Sequence, residues 1–241
     1  MIWVYYHDLN NLNGRIGNKE ANVYNYFEDK QLLREIQTNC SKIVKEVEEE
    51  LRNQGLNSQV FLIGSGGRNM VMQNENEPID FDYNLNVLSC DDINNCKEIK
   101  ELVRKTFNKV MRRKNLNDVD DSTSSLTTKK YHLVSNPEIW FSIDLAVVTM
   151  DNSGKWYRLK HEKTGYSYND RYYWNEAPNS KGYNEKVIRI KKVYCWELVR
   201  EQYKKIKNKY LTNNDHDHPS FICYIEAVNN VYNHLRQKNT L

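Results

Sequence analysis

Residues 79–87 alternate without a break. Ile79, Phe81, Tyr83, Leu85 and Val87 are apolar, and Asp80, Asp82, Asn84 and Asn86 between them are polar. Alternation of this length specifies a strand with one face buried, so the chain must build a sheet and cover one side of it. Side chains two apart on a strand share a face, with Cα atoms roughly 6.5–7 Å apart. Asp80 and Asp82 therefore point the same way, and a divalent cation between them would take an oxygen from each.

A second strand is read over residues 136–150, NPEIWFSIDLAVVTM, with Ile139, Phe141, Ile143, Leu145 and Val147 on one face. Asp144 sits in its middle between Ile143 and Leu145. An ionised carboxylate in so apolar a setting is costly unless paired, hydrogen-bonded or metal-bound. If this strand lies beside residues 79–87, three carboxylates meet on one sheet face. An all-oxygen cluster of that kind suits Mg²⁺, which keeps waters and completes its shell with substrate phosphates. Upstream, the apolar run 60–63 leads into Gly64, Ser65, Gly66 and Gly67. Glycines turn tightly and expose backbone N–H groups. A helix beginning near Arg68 would make that turn a phosphate site.

Gly64-Ser65, Asp80-Phe81-Asp82 and a distal Asp144, each in strand context, resemble the polymerase-β-like nucleotidyltransferase superfamily. The later stretches WELVREQYKKIKNKY and HPSFICYIEAVNNVYN are most similar to the branch holding oligoadenylate synthases and bacterial cyclic-oligonucleotide synthases. The resemblance spans about two thirds of the chain. One departure stands out: Gly67-Arg68-Asn69 occupies the region where that branch usually has a Gly-Thr pair. The resemblance implies an α+β fold, a nucleotidyltransferase-type mixed sheet with flanking helices followed by a mainly helical C-terminal part. It implies a catalytic, palm-like domain over residues 1–150 and a helical domain over 151–241.

Composition is consistent with this. A chain of 241 residues is long enough for one large or two small domains. Mean hydropathy is −0.84, but 17 tyrosines supply apolar bodies with polar tips. The formal net charge of +3 allows a local basic cleft for a triphosphate and gives no indication of long nucleic acid. Five cysteines, an odd number with no Cys-x-x-Cys pair, read as reduced thiols. No basic region followed by an apolar run opens the sequence, and no apolar stretch approaches the roughly 20 residues of a membrane span. A cytoplasmic protein without a membrane partner is expected.

Elsewhere the pattern is helical. Residues 30–54 carry Leu33, Ile36, Cys40, Val44, Val47 and Leu51 at intervals of three and four, and Gly55 ends the run. Residues 91–114 repeat the pattern and finish in a basic end that the helix dipole favours. Two more helices are expected, one over 182–210 and one after the polar stretch Asp215-His216-Asp217-His218-Pro219. Residues 166–174, with Tyr166, Tyr168, Tyr172, Tyr173 and Trp174 around Arg171, read either as a base-stacking surface or as a long loop packed on the body.

The resemblance implies roles. Asp80 and Asp82 would bridge two Mg²⁺ or Mn²⁺ ions, and Asp144 would hold the ion beside the attacking hydroxyl. Ser65 would contact a β- or γ-phosphate, with Gly64 and Gly66 shaping the turn. Arg68 would reach a phosphate or point outward, and Lys191 or Lys192 would bring a cation from the helical half. The expected reaction moves a nucleoside monophosphate from a nucleoside triphosphate, ATP in the first place, to a hydroxyl on a nucleotide, a small molecule or a macromolecule. The alternative is a nucleotide- or partner-binding module that keeps the fold without the chemistry.

Overall fold

The computed structural model describes residues 24–74, 77–133, 136–177, 181–212 and 220–241. The first elements are β1 (Asn25–Tyr26), α1 (Lys30–Arg52), β2 (Asn57–Leu62) and the single turn α2 (Gly64–Gly67). Then come β3 (Met72–Gln73), β4 (Ile79–Ser89), α3 (Cys96–Arg113), β5 (Asp120–Asp121), β6 (Leu126–Thr127) and β7 (Tyr131–Leu133). The chain continues through β8 (Asn136–Met150), β9 (Trp156–Glu162), β10 (Arg171–Glu176), α4 (Lys181–Lys192), α5 (Trp196–Thr212) and α6 (Ser220–Gln237). The run at the start of the chain and the Asp215–Pro219 stretch lie outside the described residues.

The main sheet has the order β10-β9-β8-β4-β2, with β6 and β7 also pairing along β8 and β5 along β6. It is mixed: β4 and β8 are parallel, and β2 is antiparallel to β4. From Ile79 to Val87 the odd-numbered residues of β4 are the apolar ones. They pack with Phe141, Ile143, Leu145 and Val147 of β8 under α1 and α3 in one core. Both helices present apolar stripes, and each is capped by a side chain accepting backbone N–H bonds: Asp29 for α1, Asn95 for α3. The even-numbered residues of β4 and β8 face the other way.

A second core joins α4, α5 and α6 and includes Met70 and Met72 from the segment after α2. Within this segment β3 pairs with β1, and Met70 and Met72 seat the helices. Tyr24 and Asn208 exchange hydrogen bonds of 2.7 and 2.9 Å, and the Tyr26 hydroxyl donates to the Arg200 carbonyl at 2.7 Å, fixing β1 to α5.

Two further expectations are revised. Residues 182–210 form two helices, not one. The chain breaks at Tyr194, whose φ is +57°, while Cys195 N–H still donates to Ile190 O at 3.2 Å. The 166–174 stretch is partly strand: Tyr172 and Trp174 of β10 pack on the main core, and the Trp174 indole donates to Ile93 O at 2.7 Å. The sheet therefore runs on past residue 150 to Glu176 before the helices begin. Among the described residues, no helix is long and apolar enough to cross a membrane.

Candidate active site

The parallel pairing of β4 with β8 sets Asp82 beside Asp144 and Asp80 beside Ser142. Neighbouring residues in register share a face, so all three carboxylates stand on the side of the sheet away from α1 and α3, with strands about 4.8 Å apart. The Asp80 carboxylate accepts from the Ser142 hydroxyl, and Asp144 accepts from the Thr127 hydroxyl of β6. A cleft of about 510 Å³ opens here, lined by Asp80, Asp144, Ser142, Thr127 and the following residues to Lys130.

The charges interact. Burial pushes the Asp82 carboxyl up to about 6, with Asp144 and Asp80 adding to the rise and Arg158 and Arg68 opposing it. Asp144 is also raised, by burial first, against the Thr127 hydrogen bond. Among the described residues, no three His, Cys, Asp or Glu side chains already close into a metal cage. Asp80 and Asp144 instead satisfy themselves with hydroxyls. The donor chemistry nevertheless fits a hard cation: every group is an oxygen, the carboxylates repel one another, and the hydrogen-bond partners of Asp80 and Asp144 are neutral hydroxyls. Mg²⁺ takes only one or two carboxylates and fills its shell with water and phosphate, so a closed protein cage is not required.

Gly64 decides the shape of the turn. Its φ is +60°, and a Cβ there would lie 2.0 Å from Asp82 Oδ2. Ile63 N–H donates to Asp82 O at 2.8 Å, so the turn is laid directly against the carboxylate strand. At Gly66 a Cβ would come within 3.1 Å of Phe81, and at Gly67 within 2.8 Å of Leu62 O. Ser65 is half-buried in the same turn. No helix starts at Arg68, which instead ends the four-residue turn. The anion-binding groups on offer are therefore the first N–H groups of α2, which have no partner inside the turn.

Arg68 points neither outward nor into open cleft. Its guanidinium donates to Gly64 O at 2.9 Å and lies over the Tyr224 ring at 4.3 Å, clamping the turn to α6. Lys191 and Lys192 are exposed at the end of α4, and the Lys191 ammonium packs over Trp196 at 4.6 Å. A lysine whose charge couples to Asp80 and Asp82 is Lys207 of α5: burial holds its ammonium below the ordinary lysine value, opposed by Cys223 and then by Asp80, Asp82 and Glu77. Sequence reasoning missed it because α5 carries several lysines and only tertiary packing selects one. It also missed Ser142, Thr127 and Arg158, which no spacing rule marks.

No family model matches the chain, and no curated protein matches it. Solved structures do. CdnC of E. coli MS115-1, determined with ATP, aligns at 12% identity and a TM-score of 0.52 over 86% of this chain and 62% of that chain. The chain has a CdnC-like fold. The Elizabethkingia meningoseptica CdnE cyclic dinucleotide synthase, with GTP and Apcpp, aligns at 13% identity and a TM-score of 0.49, covering 84% of this chain and 76% of that one. The Vibrio cholerae DncV cyclic AMP-GMP synthase aligns at 15% identity and a TM-score of 0.44, covering 71% of this chain and 44% of that one. At such identities the likeness to CdnC shows the fold alone. This chain spans less than two thirds of CdnC and less than half of DncV.

Proposed function

We propose that the protein is a metal-dependent nucleotidyltransferase that moves a nucleoside monophosphate from a nucleoside triphosphate to a hydroxyl acceptor, releasing pyrophosphate. The observation that carries the proposal is the register of Asp82 with Asp144, with Asp80 two residues away on the same face, under a turn that only glycine can make. Two divalent cations, Mg²⁺ or Mn²⁺, would supply hydroxyl activation and neutralise the leaving pyrophosphate when bound. Asp80 and Asp82 are the carboxylates suited to hold both, and Asp144 the one suited to the acceptor side. Ser65 and the N–H groups of α2 are suited to the terminal phosphates. Lys207, whose charge those carboxylates favour, is the cation of the helical half suited to a phosphate. ATP is the first nucleotide to test, because CdnC is a structure with ATP.

A second reading is nucleotide binding without turnover. It is favoured by the engagement of Arg68 with Gly64 O and Tyr224 and by the replacement of the usual Gly-Thr pair. Incubation with Mg²⁺ or Mn²⁺ and each labelled triphosphate separates the two. Pyrophosphate release that Asp80→Asn with Asp82→Asn abolishes means transfer; stoichiometric retention without turnover means binding alone.

A further inference from the structure

On β9, Leu159 belongs to the main core, so His161, two residues on, faces the same way, toward α3 and away from the carboxylates. It is 5% exposed. Its Nδ1 lies 2.6 Å from Oδ2 of Asp121 on β5, and its Nε2 lies 3.0 Å from Oδ2 of Asp170, just before β10. Tyr172 stacks on the ring at 4.0 Å. A buried side chain bonded at both ends to separate segments ties those segments together, because neither end can be freed without leaving a buried polar atom unpaired.

The two ends do different things. Asp170 belongs to the turn after β9, where it accepts from the Thr164 N–H at 2.9 Å. Asp121 belongs to the β5–β6 hairpin, which is a wall of the carboxylate cleft: Asp120, Ser125 and Thr127 line it. Opposite Asp120 on the hairpin stands Thr127, whose hydroxyl donates to Asp144. β6 sets only Leu126 and Thr127 beside β8, so that ladder alone gives the hairpin a short hold. The rest comes from the other side. The His161 N–H donates to Thr123 O at 2.8 Å, and the Lys100 ammonium donates to Ser122 O at 2.8 Å while pairing with Asp121 at 2.8 Å.

We propose that His161 is a positioning residue for the transfer step. Through Asp121 it fixes the β5–β6 hairpin, and the hairpin fixes the Thr127 hydroxyl that orients Asp144, the carboxylate suited to the acceptor side. This role rests on the nucleotidyl-transfer reading and adds to it a residue that touches neither cation nor phosphate. Groups behind a metal ligand set its direction, and their loss costs about ten- to a hundredfold in activity.

Two substitutions at His161 separate positioning from the filling of space. The asparagine amide nitrogen is bonded to Cγ, as Nδ1 is, and can still donate to Asp121. The glutamine amide nitrogen lies one atom further out, as Nε2 does, and is placed to donate to Asp170 instead. In pyrophosphate release by the full chain with Mg²⁺ and each triphosphate, His161→Gln should lose about tenfold in kcat with KM for the triphosphate unchanged. His161→Asn should keep most of kcat, although glutamine is the closer match to histidine in size. Hydrogen exchange read by mass spectrometry, without triphosphate, should be faster over residues 122–128 in His161→Gln and unaltered in α1 and α5. Asp170→Asn, on the far side of the ring, should match the wild type in both readouts. Thermal unfolding of each variant controls for folding. The role is overturned if His161→Gln and His161→Asn lose activity equally, if kcat and KM change together, or if Asp170→Asn loosens the hairpin as much as His161→Gln does. Release by the wild type, with exchange over 122–128 unchanged in His161→Gln, rejects the positioning role and keeps the transfer reading. If the wild type releases no pyrophosphate, the transfer reading falls and with it the positioning role, while exchange still decides whether His161 holds the hairpin.

Discussion

Replacing Asp82 by asparagine should stabilise the protein at neutral pH when divalent cations are absent. The carboxyl of Asp82 is raised from its ordinary 3.8 to about 6 by burial and by its two acidic neighbours. A folded-state value above the unfolded one means that the folded state binds the proton more tightly. The stability associated with the neutral form is fully present below about pH 4 and is lost as pH rises through about 6. The full penalty applies above that and amounts to about 3 kcal/mol, reduced by the water that still reaches the group. Asp82→Asn never ionises, so the difference between variant and wild type should grow from near zero at pH 4 to about 2–3 kcal/mol at pH 8. Urea denaturation in EDTA at the two pH values measures it. Millimolar Mg²⁺ should then shift the order, because a ligand at a hundred times its Kd adds about 2.7 kcal/mol to the wild type and little to the variant. An equal difference at both pH values, or a variant less stable than wild type at pH 8 in EDTA, would refute the electrostatic account.

Gly64→Ala should cost about 1–2 kcal/mol from the left-handed backbone alone. It should also displace the Asp82 carboxylate, since the new Cβ would sit 2.0 Å from its oxygen; denaturation and Mn²⁺ binding should both register the change. Lys100→Met should destabilise by about 3–5 kcal/mol in chemical denaturation. Lys100 is 2% exposed and holds Asp121 at 2.8 Å, while His161 bridges Asp121 and Asp170 at 2.6 and 3.0 Å, so its loss leaves a buried carboxylate short of countercharge.

The parts of this structure that could be read in advance are those where one strand states its own environment. The alternation of residues 79–87 gave away both the strand and the shared direction of Asp80 and Asp82. The apolar neighbours of Asp144 marked it as needing a partner, and the Thr127 hydroxyl of β6 supplies one. What could not be read depends on contacts between distant segments. Tyr194 ends α4 in a left-handed conformation with no glycine or proline to announce it. Met70 and Met72 sit in a polar stretch yet fill the helical core. Lys207 differs from its neighbours on α5 only in where the helix docks, and Arg68 was readable as a charge but not as a clamp on Tyr224.

We propose that Asp144 joins Asp80 and Asp82 in holding the acceptor-side cation. Mn²⁺ titration followed by electron paramagnetic resonance, on the wild type and on Asp144→Asn, tests it most directly. The account predicts saturable Mn²⁺ binding by the wild type and at least about a tenfold loss in the variant, with the fold retained in both. Equal binding by the two proteins, or none by the wild type even with ATP present, would contradict it.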